Sequence, residues 1–199
     1  VGERGVDKSP LIGRVLNALD RPVYGFETKK EDSLADELRG SPVYIYDAWQ
    51  ERVRTTENLV GYCKNHRFDA AAEVFDRFAP KLRKPVPSSG IVLLDELGFM
   101  ESQAEEFCAA VLDLLEGDIP IIAAVKNKNT PFLEAVRSHP KAKCFYITEE
   151  NRDELFPQVL DFVRILLDSA EGETDNYHQR IAPPKRKYSL SDRRAAGAS

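Results

Sequence analysis

The chain has 199 residues, 42% of them hydrophobic and 31% charged, and its 28 Lys and Arg against 33 Asp and Glu give a net charge of −5. This composition suits a folded globular domain and makes a general nucleic-acid binder a poor fit, because such binders carry excess positive charge. No apolar run approaches the roughly 18 residues of a membrane span, and three widely spaced cysteines, Cys63, Cys108 and Cys144, predict reduced thiols in a cytoplasmic setting rather than a disulfide framework.

In chain order, residues 2–8 read as a glycine-containing turn and 9–19 as a helix with Leu11, Ile12, Val15, Leu16 and Leu19 on one face. Pro10 sits in its first turn, where a missing N–H is harmless. Residues 22–28 and 42–48 read as strands, separated by a charged loop or irregular hairpin over 29–40. The polar stretch 49–67 carries no clear pattern. Residues 69–77 predict a helix burying Ala72, Phe75 and Phe78. The run 91–94 is apolar throughout, as in a buried parallel strand. A helix is expected over 103–115, a buried strand over 120–125, and a helix over 130–139 opened by Thr130-Pro131. A strand over 143–148 and a long amphipathic helix over 151–169 complete the pattern.

Strands alternating with helices of about ten residues predict an α/β fold with a mostly parallel sheet and helices on both faces. Residues 91–94, 121–125 and 145–147 are expected as parallel neighbours, with residues 2–9 over their carboxyl ends. The domain is expected over 1–170. Residues 171–199 lack apolar periodicity and read as a disordered, locally basic tail.

Two segments carry chemistry. The opening Gly2-Glu3-Arg4-Gly5-Val6-Asp7-Lys8-Ser9 approximates the phosphate-loop pattern G-x-x-x-x-G-K-[ST]. In that pattern, backbone N–H groups at a helix N-terminus ring the phosphates, a lysine neutralises them and a hydroxyl ligates Mg²⁺. Gly2, Lys8 and Ser9 fit, but Asp7 replaces the second glycine and sets a carboxylate towards the phosphates. The strand that should precede the loop is reduced to Val1, and an upstream run of four or five apolar residues would supply it. The second segment, Ile91-Val92-Leu93-Leu94-Asp95-Glu96, places two acids at the carboxyl edge of a buried strand, where open α/β sheets bind ligands. Asp95 is the candidate metal-side acid and Glu96 the candidate for orienting or deprotonating water, with Glu101 next in line. A Cys63…His66 pair has metal-like spacing without a second pair.

These segments resemble the P-loop nucleoside-triphosphatases related to the thermophile and human cancer-related NTPases, which are RecA-like α/β proteins. Four blocks carry the likeness: GERGVDKSPLI; Gly25, Phe26 and Thr28; Asp95, Glu96, Leu97, Gly98, Met100 and Glu101; and Thr148, Asn151 and Arg152. The third is the most specific. The resemblance implies Mg²⁺-dependent hydrolysis of a nucleoside triphosphate (ATP, GTP or another) to the diphosphate and phosphate; a monomer or weak oligomer is expected. It implies that residues 2–9 bind phosphate, that Ser9 and Asp95 hold the metal, and that Lys8 and Glu96 are catalytic. It also sets Asn151 and Arg152 beside the base, where a planar guanidinium can stack. The family usually has Thr or Ser where Pro10 stands. Two alternatives accompany this reading: a catalytically degenerate nucleotide-binding or interaction module, suggested by Asp7, and a nucleotide kinase. The kinase lacks support from an Arg-rich lid, for which Arg52, Arg54 and Arg67 are the candidates. Lys126 lies at a strand end on the same edge, and Phe26, Phe75 and Phe78 are expected in the core.

Overall fold

The computed structural model describes residues 1–171 apart from Arg4, Gly5, Asp7 and His66. Helix α1 spans Lys8–Leu19, and β1 (Val23–Lys30) and β2 (Ser41–Asp47) follow. Next come β3 (Leu59–Lys64), β4 (Arg67–Ala70), α2 (Ala72–Leu82) and β5 (Ile91–Leu97). Helix α3 (Glu105–Glu116), β6 (Ile121–Val125), α4 (Pro131–Ser138) and α5 (Arg152–Glu171) end the described chain.

One sheet runs β4-β3-β2-β1-β5-β6. Strands β1, β5 and β6 are parallel, with Glu27 beside Asp95 and Leu93 beside Ile122 in the ladders. The β1–β2, β2–β3 and β3–β4 pairs are antiparallel. The α/β class and the parallel core are as expected. The antiparallel half arises where the sequence was hard to read: residues 49–67 contain β3, and the helix expected at 69–77 is instead β4 followed by α2. Only three residues of β4 separate the polar stretch from α2's apolar face, too few to show a period of two.

Strict alternation along β5 divides the core. Val92 and Leu94 face α2, α3 and α4 in a cluster with Phe26, Phe75, Phe78 and Phe107. Ile91 and Leu93 face α1 and α5, among Leu11, Val15, Leu16, Leu160 and Val163. The result is a three-layer sandwich with helices on both faces of the sheet. Three phenyl rings meet edge to face in the first cluster, with Phe107 centred 5.2 Å from both Phe26 and Phe75. Gly25 is needed where β1 meets β5: its φ is +91°, and a Cβ there would lie 2.1 Å from the Leu93 carbonyl oxygen.

One expected neighbour relation is corrected. Residues 143–148 form no regular strand, and 145–147 do not pair with β6. Val1 and Gly2 stand between them. The Gly2 N–H donates to the Val125 carbonyl at 3.2 Å, and Asn127 N–H donates to Gly2 at 3.1 Å. On the other side, Ile147 N–H donates to the Val1 carbonyl at 2.9 Å, and the Val1 ammonium donates to Phe145 at 2.8 Å. The first residues thus occupy a ladder position next to β6, parallel to it. Beyond them a cavity of about 550 Å³ opens between β6 and residues 143–147, lined by side chains such as Leu11, Ile12, Leu155, Val159 and Phe162. The tail expected over 171–199 falls outside the described residues beyond Glu171, the last residue of α5.

Candidate functional site

Parallel strands all end on one edge, so β1 and β5 deliver their terminal residues to the same place. Alternation puts Asp95 on the α1 face of β5, in step with Ile91 and Leu93. The ladder to β6 shifts register between Asp95 and Leu97, which returns Leu97 to the opposite core and leaves Glu96 at the irregularity. Helix α1 begins above this edge. Its Ser9 hydroxyl donates to Asp95 Oδ1 at 3.0 Å, across 86 positions of sequence. Lys8 Nζ lies 3.1 Å from Glu96 Oε1 and donates to the carbonyls of Gly2 and Glu3 at 3.3 and 3.1 Å. Lys8 is buried. Its ammonium therefore closes the start of the residue 2–9 turn from below and ties it to β5.

Burial is the largest influence on Asp95 and pushes its carboxyl above the usual range; Lys29 and the Ser9 hydrogen bond act in the opposite direction, and Glu96 and Glu27 add to the rise. Lys29 Nζ lies 3.7 Å from Asp95 Oδ2 and 3.6 Å from Glu27 Oε2. Glu27 is fully buried and receives a bidentate grip from Arg52, Nε to Oε1 at 2.6 Å and Nη2 to Oε2 at 2.8 Å. The Thr28 hydroxyl joins the end of β1 to the strand beside it, donating to the Asp95 carbonyl and accepting from the Glu96 N–H, both at 3.4 Å. Glu101, also fully buried, accepts from the Gly98 N–H at 2.8 Å through Oε2, while Oε1 has no hydrogen-bond partner among the described residues. Burial raises its carboxyl to about 7.

Comparison with known proteins gives the family of the chain. The sequence model of a family described as NTPase matches residues 1–160. The chain belongs to this NTPase family. It is 29% identical to the nucleoside-triphosphatase THEP1 of Pyrococcus abyssi over 178 residues, 86% of this chain and 94% of the relative. It is 27% identical to the mouse cancer-related nucleoside-triphosphatase homolog, covering 82% and 94% of the two chains. The crystal structure of THEP1 from Aquifex aeolicus superposes with a TM-score of 0.60 at 20% identity, over 81% of this chain and 95% of that one. The solution structure of a human cancer-related nucleoside triphosphatase gives 0.59 at 25% identity, over 82% and 95%.

Within this NTPase domain the expected site residues separate into two groups. Gly2, Glu3, Lys8, Ser9, Asp95 and Glu96 come together. Val6 continues the turn, its carbonyl accepting from the Lys8 N–H at 2.8 Å, while Arg4, Gly5 and Asp7 fall outside the described residues. Asn151 spends its side chain locally: Oδ1 accepts from Thr148 N–H at 2.8 Å and Nδ2 donates to the Tyr146 carbonyl at 2.9 Å. It fixes the turn into α5, which Arg152 begins. Lys126 runs across Gly98, where a Cβ would lie 3.2 Å from its Nζ. Arg52 is paired with Glu27, Arg54 is exposed, and the Arg67 side chain and His66 fall outside what is described. The three cysteines are free thiols, and among the described residues no three His, Cys, Asp or Glu gather as a metal-binding group.

Sequence reasoning missed Glu27, Lys29 and Arg52 as a connected set. A signal existed for part of it: Glu27 is an acid that directly follows the apolar and aromatic run Val23-Tyr24-Gly25-Phe26 of a strand, and a buried acid needs a partner. The identity of that partner, in an irregular loop 25 positions on, had no sequence signature.

Proposed function

We propose that the chain is a Mg²⁺-dependent hydrolase that converts a nucleoside triphosphate to the diphosphate and phosphate. The observation that supports this best is the paired bridge from the start of α1 to β5: Ser9 to Asp95 at 3.0 Å and Lys8 to Glu96 at 3.1 Å. A hydroxyl and a carboxylate are hard oxygen donors of the kind Mg²⁺ prefers, and two protein oxygens suffice where phosphates and waters complete the shell. Ser9 and Asp95 would hold the ion, whose charge would neutralise oxygens of the transferring phosphoryl group.

Lys8 has two tasks that compete. Its ammonium binds Glu96 and the turn carbonyls, and it is the cation nearest the expected phosphate position. A phosphate reaching Nζ draws it from Glu96 and frees that carboxylate to accept a proton from attacking water. Glu96 thereby changes from counter-ion to base as substrate arrives. The N-terminus of α1 would add fixed positive potential. Asn151 and Arg152, at the opening of α5, are the residues proposed to border the base. A second reading, a nucleotide-binding module without turnover, draws on Asp7, whose negative charge opposes phosphate.

Two substitutions separate these readings. Lys8→Ala should abolish phosphate release and weaken calorimetric ADP binding, each by roughly a hundredfold or more. Glu96→Gln should keep ADP affinity within about threefold while slowing turnover by roughly 10²–10⁴-fold, because it removes a group acting on water and not a binding contact. A wild type that is folded and binds ADP yet releases no phosphate, as inert as both variants, would establish the module instead.

A further inference from the structure

The carboxyl edge of the sheet holds a row of alternating charge, Arg52, Glu27, Lys29 and Asp95, of which the hydrolytic reading uses Asp95 alone. Asp95 divides its two oxygens. Oδ1 accepts from Ser9 at 3.0 Å, and Oδ2 faces the Lys29 ammonium at 3.7 Å. Lys29 is itself shared, lying 3.6 Å from Glu27 Oε2. Glu27 is held from its other side by the Arg52 fork at 2.6 and 2.8 Å.

We propose that Lys29 is an internal counter-cation for Asp95, which takes the electrostatic place of a divalent ion there, sets how strongly the site binds metal, and withdraws onto Glu27 when metal binds. The inference rests on the reading of Asp95 as a metal ligand. Three carboxylates, Glu27, Asp95 and Glu96, converge on this edge, and Asp95 and Glu27 are almost fully removed from solvent. Without cations their mutual repulsion and desolvation would be large. Lys8 covers Glu96, Arg52 covers Glu27, and Lys29 covers Asp95.

The position of Lys29 also makes it a competitor. An ion coordinated by Asp95 would stand within a few ångströms of an ammonium 3.7 Å from Oδ2, and that repulsion weakens metal binding. Lys29 keeps an escape route, because Glu27 Oε2 is already within reach on the side away from Ser9. Arg52 holds Glu27 in place through two hydrogen bonds, so the ammonium moves between two fixed acceptors. Lys29 is a positioning residue in this account, acting on metal demand through Asp95.

The test uses the intact, nucleotide-free protein and Mn²⁺, followed by electron paramagnetic resonance. Lys29→Gln should bind Mn²⁺ roughly tenfold more tightly than wild type, the scale of removing one partly screened charge near a divalent ion. Lys29→Arg should bind as wild type does, and adding Asp95→Asn to Lys29→Gln should erase the gain. Circular dichroism confirms the fold, and Lys29→Met, which keeps the aliphatic stem, replaces Lys29→Gln if that variant does not fold. Equal Mn²⁺ affinity in wild type and Lys29→Gln, absence of binding in both included, overturns the proposal. So does a gain that survives Asp95→Asn. Calorimetric ADP binding is read separately: a Mn²⁺ gain in a protein that binds no ADP sinks the hydrolase reading and leaves the counter-cation standing. Lost ADP affinity in Lys29→Gln with unchanged Mn²⁺ binding assigns Lys29 to phosphate and overturns the counter-cation.

Discussion

The two halves of the sheet are built from the same kind of strand and serve different ends. In the parallel half, β1, β5 and β6 are covered on both faces, and Ile91, Val92, Leu93 and Leu94 are all buried. In the antiparallel half, among the described residues, α2 packs against one face, on β3. Ile45 and Val60 join the core beneath α2, while Tyr44, stacked on Tyr46 with ring centres 6.0 Å apart, is half-buried on its strand. Parallel strands need crossovers, crossovers bring helices, and helices exclude water from both faces. The same connectivity sends every parallel strand to a common carboxyl edge. The charged residues gather there because direction, not composition, brings their strand ends together.

The largest effect that tests this contrast comes from the parallel half. Phe107→Ala removes a fully buried ring that contacts Phe26 and Phe75. It should cost about 3–5 kcal/mol in urea unfolding. Tyr44→Ala, in the antiparallel half, should cost about 1 kcal/mol, since Tyr44 itself is only half-buried where it stacks on the buried Tyr46. Similar losses from the two would show that the halves are equally well covered.

Arg52 joins the halves, since it comes from the loop after β2 and neutralises Glu27 on β1. Arg52→Ala should destabilise by about 2–3 kcal/mol, below the usual cost of an orphaned buried charge because Lys29 remains 3.6 Å from Glu27. Glu27→Gln in the same background should restore part of the loss. If Arg52→Ala alone is neutral in thermal unfolding, the loop is held by something other than this pair.

A smaller and pH-dependent effect sharpens the comparison at the end of β5. The Glu101 carboxyl is raised to about 7 by burial, from an ordinary value of 4.5. Between those values the folded protein binds more protons than the unfolded chain, so this group makes stability fall as pH rises from about 4.5 to 7 and level off above. Glu101→Gln keeps an oxygen for the Gly98 N–H and removes the titration. Its unfolding free energy should lose up to about 3 kcal/mol of this decline, seen as a flatter slope over that window. An unchanged slope would assign the decline to another group, Asp95 being the next buried acid.

Much of this molecule was legible without coordinates. The periodicity of Leu11, Ile12, Val15 and Leu16 and the unbroken run Ile91–Leu94 specify buried elements through local geometry, and the structure buries all of them. Thr130-Pro131 specifies a helix start, and the Thr130 hydroxyl accepts from Leu133 N–H at 3.2 Å. Lys8, Ser9, Asp95 and Glu96 could be singled out because the chemistry of phosphate and metal demands those groups near a helix start and a strand end. The boundaries of β3 and β4 were not legible, because short strands at the sheet's edge have neither a long apolar run nor a clear alternation.

Only the tertiary structure decided who meets whom. Residues 145–147 carry a strand-like sequence, yet Val1 and Gly2 stand between them and β6, because which segment lies beside a strand is set by tertiary context and not by intrinsic preference. The sequence determined that buried strands would end in acids and that a lysine and a serine would open a helix, since those facts follow from residue type and spacing. It did not determine that Glu27 would pair with Arg52, that Lys29 would lie between two carboxylates, or that Glu101 would be sealed beneath Gly98. Those pairings join positions distant in sequence, and a buried charge takes whichever partner the packed fold brings within reach.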